Sequence, residues 1–229
     1  MRRPSKPIEP PPLAVGSRQS VLISPEAGWF GGAAHKSALA AAGLKVEGGG
    51  PHQSKTMMLG EISALLAHEP SDDLHDVVVA QNLLGKPSMR AREASLYRLR
   101  QLYAVGEDAQ VGVVLRHLWR LDKEGRPMLA LLCALARDPS FRAGSSAVLD
   151  AVLGEQVRWP AIAAAFESHF PGRLSPTMAK SLAQNAASSW TQAGFLRGAV
   201  RKERVRAMAT PVTAAYAALL ANLCGCARR

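Results

Sequence analysis

From Ser54 onward the chain is divided into short apolar segments of helical periodicity, separated by residues that start or stop helices. In the first segment Met58, Ile62 and Leu65 follow one another at the three- and four-residue steps of a buried helix face. Starts such as Ser175-Pro176 combine a side-chain acceptor for free amides with a proline that fits the first turn. This alternation of apolar segments with helix start and stop residues predicts a bundle of short helices.

Composition agrees with a helical core. Hydrophobic residues make up 48% of the 229 positions and aromatic residues only 5%, so the core is expected to be aliphatic. The longest uninterrupted apolar stretch, Met128–Ala136, is about half of what a bilayer span needs, and we therefore predict no membrane partner. The predicted fold class is all-α, with two subdomains that each contain a helix-turn-helix, the second winged-helix-like with a short β-hairpin.

The start and stop signals also place the individual elements. A helix capped by Ser71 should end at the turn around Gly85 and Pro87, because glycine tolerates positive φ and proline disfavours helix at the residue before it. The further helices are predicted over His35–Ala42, Met89–Tyr103, Asp108–Leu121, Arg126–Arg137, Ser140–Leu153, Trp159–Phe170, Pro176–Gly194 and Val212–Leu223, with a hairpin over Leu196–Met208.

These elements group into three parts. Residues 1–43 form a proline- and glycine-rich extension that we expect to be partly disordered. Residues 44–137 form a helical subdomain with the first helix-turn-helix. Residues 138–229 form the winged-helix-like subdomain.

The sequence contains no pattern typical of a catalytic, metal-binding or cofactor-binding site. Three cysteines, Cys133, Cys224 and Cys226, are too few for a disulfide framework and favour a reducing cytoplasm. The six histidines show no metal-binding spacing, and the acidic residues lie beside predicted helix ends. The stretch Gly31–Ser37 has His35 where a phosphate loop needs glycine. We therefore predict no enzyme, no metal, no cofactor and no small-molecule substrate.

Positive charge is the one functional signal, and it is local. The formal net charge is +10, and two segments carry most of it. The first basic segment, residues 86–100, and the second basic segment, residues 197–206, each hold five basic residues against one glutamate, a net charge of +4. Local positive charge is typical of a phosphate-binding surface. The candidate DNA-binding residues are Lys86, Ser88, Arg90, Arg92, Arg98, Arg197, Arg201, Lys202, Arg204 and Arg206.

Both segments have a plainer interpretation. Exposed helices often carry arginines, so the first segment could be a solvated helix face. The second could be a charged loop that blunts an edge strand. Basic helices also do not distinguish B-form DNA from A-form RNA, so an RNA-binding helical protein remains an alternative.

Two stretches of the sequence resemble a known family. Asn82-Leu83-Leu84-Gly85-Lys86, followed by Ser88, Arg90, Ala91 and Arg92, and the segment Ala187–Leu196 with its Trp-x-x-Ala-Gly-Phe-Leu ending resemble the BrxA family of BREX bacteriophage-defence systems. The resemblance extends from about Leu44 to Leu223. It implies a helical, non-enzymatic protein that binds double-stranded DNA beside other BREX proteins. The alternative within the same context is an adaptor that assembles the defence complex through protein–protein contacts.

Overall fold

The structure is a computed structural model that describes residues 29–30, 36–68 and 73–225. Most of the predicted N-terminal extension, His35 and Cys226 therefore lie outside the described residues. The helices are α1 (Lys36–Ala42), α2 (Leu59–Ala67), α3 (Met89–Tyr103), α4 (Gln110–Leu121), α5 (Arg126–Arg137), α6 (Pro139–Ala143), α7 (Ser146–Leu149), α8 (Trp159–His169), α9 (Pro176–Gln192) and α10 (Pro211–Leu223). A short 3-10 turn covers Pro51–Gln53 and a π-helical turn covers Asp76–Ala80.

The mostly helical architecture confirms the predicted class, and several boundaries follow directly from local signals. The Ser88 side chain accepts from the Ala91 amide at 3.2 Å and starts α3 at the predicted residue. Thr210 and Thr213 form a reciprocal capping box that starts α10. No described helix is long and apolar enough to cross a membrane.

The predicted helix over Ser140–Leu153 is wrong, because the chain forms the two short helices α6 and α7 there. The carboxylate of Asp138 accepts from the Phe141 amide at 3.0 Å, so Asp138 starts a helix as well as ending α5. Gly144 then ends α6 close to α8: a side-chain Cβ at this position would lie 2.8 Å from Cγ2 of Ile162. Close packing against α8 therefore breaks the predicted helix.

The helix predicted after Ser71 is also different, since most of its described part is the π-helical turn. Gln81 donates its amide to the Asp76 carbonyl at 2.9 Å, a bond across five residues. Val77, Val78 and Val79 are all buried. The wider turn contains three consecutive apolar side chains that all lie within the protein interior.

One hydrophobic core extends from Leu39 near the start of the described chain to Cys224 near its end. Helix α9 packs mainly against α8 and the 3-10 turn, whereas α10 packs against α4 and α5. The last helix thus lies beside the first half of the chain. The division at residues 137 and 138 into two subdomains stays a prediction.

Two buried arginines tie the backbone of this core together. Arg137 donates to the carbonyls of Gln101, Gly43 and Arg100 at 2.9, 2.6 and 3.0 Å. Arg142 donates to four further carbonyls, and burial lowers the pKa of its guanidinium to about 10. Part of the basic composition therefore stabilises the fold and is inaccessible to a partner.

The small sheet contains β1 (Leu196–Arg197) and β2 (Glu203–Arg204), paired antiparallel with Leu196 opposite Arg204. These strands confirm a hairpin, although it is shorter than the predicted one. On its other side β2 bonds to residues 154–157: Val157 donates to the Lys202 carbonyl at 2.8 Å, and Arg204 donates to the Glu155 carbonyl at 2.8 Å. A segment before α8 and a hairpin after α9 thus form one small pleated surface.

Candidate nucleic-acid interface

A groove lined by several basic side chains separates the exposed side of α9 from the hairpin. Its volume is about 770 Å³. Four basic side chains line it, Arg158, Lys180, Arg201 and Lys202, and no acidic residue is among its described lining residues. The groove therefore carries positive charge that no carboxylate among its described lining residues offsets.

The wall formed by α9 is polar. Lys180, Gln184 and Ser188 face the groove at helical spacing. The Ser188 hydroxyl donates to the Gln184 carbonyl at 2.9 Å, whereas no described residue bonds to the Gln184 side chain. The Lys180 ammonium lies 5.5 Å from the centre of the Trp159 ring, whose residue is 39% exposed. This wall offers hydrogen-bonding groups together with one exposed cation.

The hairpin wall is held rigidly at its base. Arg197 pairs with Glu203 across the strands at 3.3 Å. Lys202 reaches back to the Thr191 hydroxyl at 2.9 Å and the Gly198 carbonyl at 3.3 Å, and burial lowers its pKa. Arg204 donates to the Val148 carbonyl at 3.0 Å and lies over the Phe195 ring. Three of the five basic residues of the second basic segment thus have partners within the protein.

The other two basic residues of this segment, Arg201 and Arg206, are exposed, and neither has an ion-pair partner among the described residues. Arg201 lies at the hairpin tip and lines the groove, while Arg206 lines a separate, apolar groove beside α10. The structure therefore divides the predicted set of five into residues that build the hairpin and residues that a ligand can reach.

The first basic segment is divided in the same way. Lys86 pairs with Glu61 of α2 at 2.8 Å, and its amide donates to the Asn82 side chain at 2.8 Å. Arg92 donates to the carbonyls of Val79 and Lys86 at 3.0 and 3.4 Å. These two cations hold the turn before α3, and the Ser88 hydroxyl is occupied as the helix cap.

Arg90 and Arg98 have no bonding partner among the described residues, and Arg90 is exposed. Tyr97, 65% exposed, lies on the same helix. No hydrogen bond or ion pair between described residues joins this surface to the second basic segment. The structure brings Arg201 and Lys202 together in one groove and leaves Arg90 and Arg98 on a separate helix.

A buried polar network positions α9, and no pattern in the sequence predicted it. The His52 ring bonds through Nδ1 to Asp138 at 2.8 Å and through Nε2 to the Ser189 hydroxyl of α9 at 2.9 Å. The ring stacks on Phe141 with centroids 3.9 Å apart. His52, Asp138 and Ser189 are all 0% exposed. Hydrogen bonds from the His52 side chain and from the amides of His52 and Phe141 lower the pKa of Asp138 against the opposing effect of burial.

This trio has the residue types of a hydrolase triad, yet its surroundings indicate another role. The Ser189 hydroxyl also accepts from the Met57 amide at 2.9 Å and contacts the Asn185 carbonyl at 3.0 Å. A nucleophile must reach a substrate carbonyl, whereas this oxygen is surrounded by protein groups. The network joins the 3-10 turn, the start of α6 and α9, and so fixes the position of α9 relative to the rest of the chain.

Sequence reasoning missed the residues that complete the groove, namely Arg158, Trp159, Lys180 and Gln184. The polar side chains at positions 180, 184 and 188 repeat on one face of the α9 helix, and that periodicity was the available signal. Among the described residues no group of three potential metal ligands occurs, and Cys133 and Cys224 are buried thiols. The Cys224-Gly225-Cys226 pair extends beyond the described residues.

No family model matches this chain, and no curated protein matches it either.

Proposed function

We propose that this protein binds double-stranded DNA in the groove between α9 and the hairpin, as a non-enzymatic component of a BREX-type phage-defence system in the cytoplasm. The observation that carries the proposal is the set Arg158, Lys180, Arg201 and Lys202, gathered in one open groove without a neighbouring lining carboxylate. Phosphates bind to such surfaces through charge and hydrogen bonds.

The order of elements supports the same proposal. The described chain has α7, the paired segment 154–157, α8, α9 and then the hairpin. This is the order of a winged helix, in which the second helix of the helix-turn-helix enters the major groove. Helix α9 is then the recognition helix, and its polar wall faces the bases. The first basic segment, with Arg90 and Arg98, supplies further phosphate contacts on a longer duplex.

Fluorescence anisotropy of labelled duplex DNA across a salt series tests the proposal. With six to ten phosphate contacts, affinity should fall by roughly three to five powers of ten between 50 and 200 mM salt. Duplex DNA should bind more tightly than single-stranded DNA or duplex RNA of equal length. Absence of binding at the lowest salt would refute the proposal, and tighter binding of duplex RNA would replace DNA with RNA.

A second candidate is an assembly adaptor, which one apolar surface favours. A groove of about 500 Å³ beside α10 is lined by Met128, Phe195 and Ala217, and Met208 next to it is 83% exposed. Exposed apolar area of this kind is typical of protein contacts. A stoichiometric complex with another BREX protein that survives nuclease and high salt, and is lost in Met208→Glu, would support the adaptor.

A further inference from the structure

The hairpin tip carries a side chain that phosphate binding does not explain. Val200 is 95% exposed and lies between Ala199 and Arg201 at the end of the loop that joins β1 to β2. The isopropyl group of Val200 forms no favourable contact with a phosphate. Covering it with apolar surface would stabilise a complex. The sugar walls of a nucleic-acid groove offer such a surface beside the phosphates.

The loop that presents Val200 is rigid. Gly198 has φ +106°, and a Cβ there would lie 2.0 Å from the Arg201 carbonyl oxygen, so the turn is closed tightly at a residue that must be glycine. Lys202 donates to the Gly198 carbonyl and to Thr191 of α9, which ties the loop to the helix. A tip held in this way loses little conformational entropy on binding.

The cations around the tip are arranged asymmetrically. Arg197 is paired with Glu203, and Lys202 is bonded back into the protein. Arg201 lies next to Val200, is exposed, and has no ion-pair partner within the described part of the chain. The tip therefore presents one apolar group and one guanidinium side by side, with the Glu203 carboxylate paired to Arg197.

From this arrangement we infer that the hairpin tip enters the minor groove next to the major groove occupied by α9, and that it favours A·T base pairs. This inference rests on the proposed function and adds a sequence preference to it. An arginine is attracted to the narrow minor groove of A·T tracts, where the negative potential is strongest. Val200 lies against the sugar walls, and the amino group of guanine, which protrudes into that groove, obstructs the approach.

The test uses the complete chain and three duplexes of equal length, A·T-rich, G·C-rich, and the G·C-rich duplex with inosine in place of guanine. Inosine removes only the minor-groove amino group, so the major-groove edge stays like that of guanine. We expect the A·T duplex to bind about tenfold more tightly than the G·C duplex, and the inosine duplex to recover most of that difference.

Variants assign the preference to the tip. Arg201→Ala should bring the affinity ratio between A·T and G·C close to one, and Val200→Ser should lower it while the salt dependence stays the same. Both side chains are exposed, so folding should be unaffected. The matched controls are Arg120→Ala and Val113→Ser, which change exposed residues of the same types on α4.

The outcomes separate the two proposals. If no duplex is bound at low salt, the proposed function fails and the inference falls with it. If all three duplexes are bound equally, or if inosine restores nothing, the tip does not select the minor groove while DNA binding stands. If the controls lower the ratio as much as the tip variants do, the assignment to Val200 and Arg201 is overturned.

Discussion

The first and second basic segments are equivalent in the sequence and different in the structure. Each has a net charge of +4. In the first segment the exposed Arg90 and Arg100 and the half-buried Arg98 lie on one helix, whereas in the second Arg201 shares a groove with Arg158 and Lys180 from other elements. The comparison shows that a count of charges does not distinguish a cation that closes a turn from one that a ligand can reach.

The largest expected effect concerns the network that connects the two halves. Replacing Asp138 by alanine removes three hydrogen bonds to its buried carboxylate, including the one to Nδ1 of His52, and should lower the free energy of unfolding by about 3 kcal/mol. Urea denaturation at neutral pH measures this loss. If the loss is below about 1 kcal/mol, the position of α9, and with it the second segment's groove, does not depend on the Asp138 carboxylate.

The same carboxylate predicts a pH dependence with a definite sign. The pKa of Asp138 is lower in the folded protein than its ordinary value of 3.8. Its contribution is therefore complete above that value and is lost as the pH falls through the lower, folded pKa. Urea titrations below pH 4 should show a steeper loss of stability in the wild type than in Asp138→Asn.

The next effect compares the two segments directly. The double variant Lys180→Glu with Arg201→Glu should weaken DNA binding at least about 30-fold at 150 mM salt, because two phosphate contacts are lost. Arg90→Glu with Arg98→Glu makes the same change of charge on α3 and should have a smaller effect. Equal losses would show that both segments bind DNA to the same degree.

A smaller effect should separate structural cations from accessible ones. Arg92→Met and Arg204→Met remove hydrogen bonds to backbone carbonyls and should each lower the unfolding free energy by about 1 to 2 kcal/mol. The matched variants Arg90→Met and Arg206→Met should change it by less than about 0.5 kcal/mol. Thermal denaturation of the four proteins measures these losses of stability. Equal stability in all four would contradict the distinction between structural and accessible cations.

The smallest effect is expected at the pair of Lys86 with Glu61. Both side chains are 27% exposed, so solvent screens the attraction. Glu61→Gln should cost less than about 1 kcal/mol and should leave DNA affinity unchanged. A rise in affinity would mean that Glu61 holds Lys86 away from DNA and that the first segment contains a hidden phosphate contact.

Local signals explain why much of the helical structure was predictable. Helix α5 has the predicted bounds, and α3 starts after Ser88, because capping and helix-stop residues act within a few positions. The failures have non-local causes. The close approach of Ile162 to Gly144 and the pairing of residues 154–157 with β2 depend on residues that are distant in the sequence.

The candidate site was predictable only in part, for the same reason. Arg201 and Lys202 were found from their charge. Arg158, Lys180 and Gln184 were missed because each is unremarkable in its own segment and becomes part of a site only when α8, α9 and the hairpin meet. His52 and Ser189, separated by 137 positions, show no sequence pattern at all.

The sequence by itself determined the helical class, most helix starts and the two places where positive charge accumulates, since propensity, capping and charge are properties of neighbouring residues. Tertiary structure alone decided which cations are used within the fold, where α9 lies and which side chains share the groove. The physical reason is that packing and hydrogen bonds across long sequence separations set burial and distance. An arginine that bonds to backbone carbonyls and an arginine that is exposed to solvent have the same letter in the sequence.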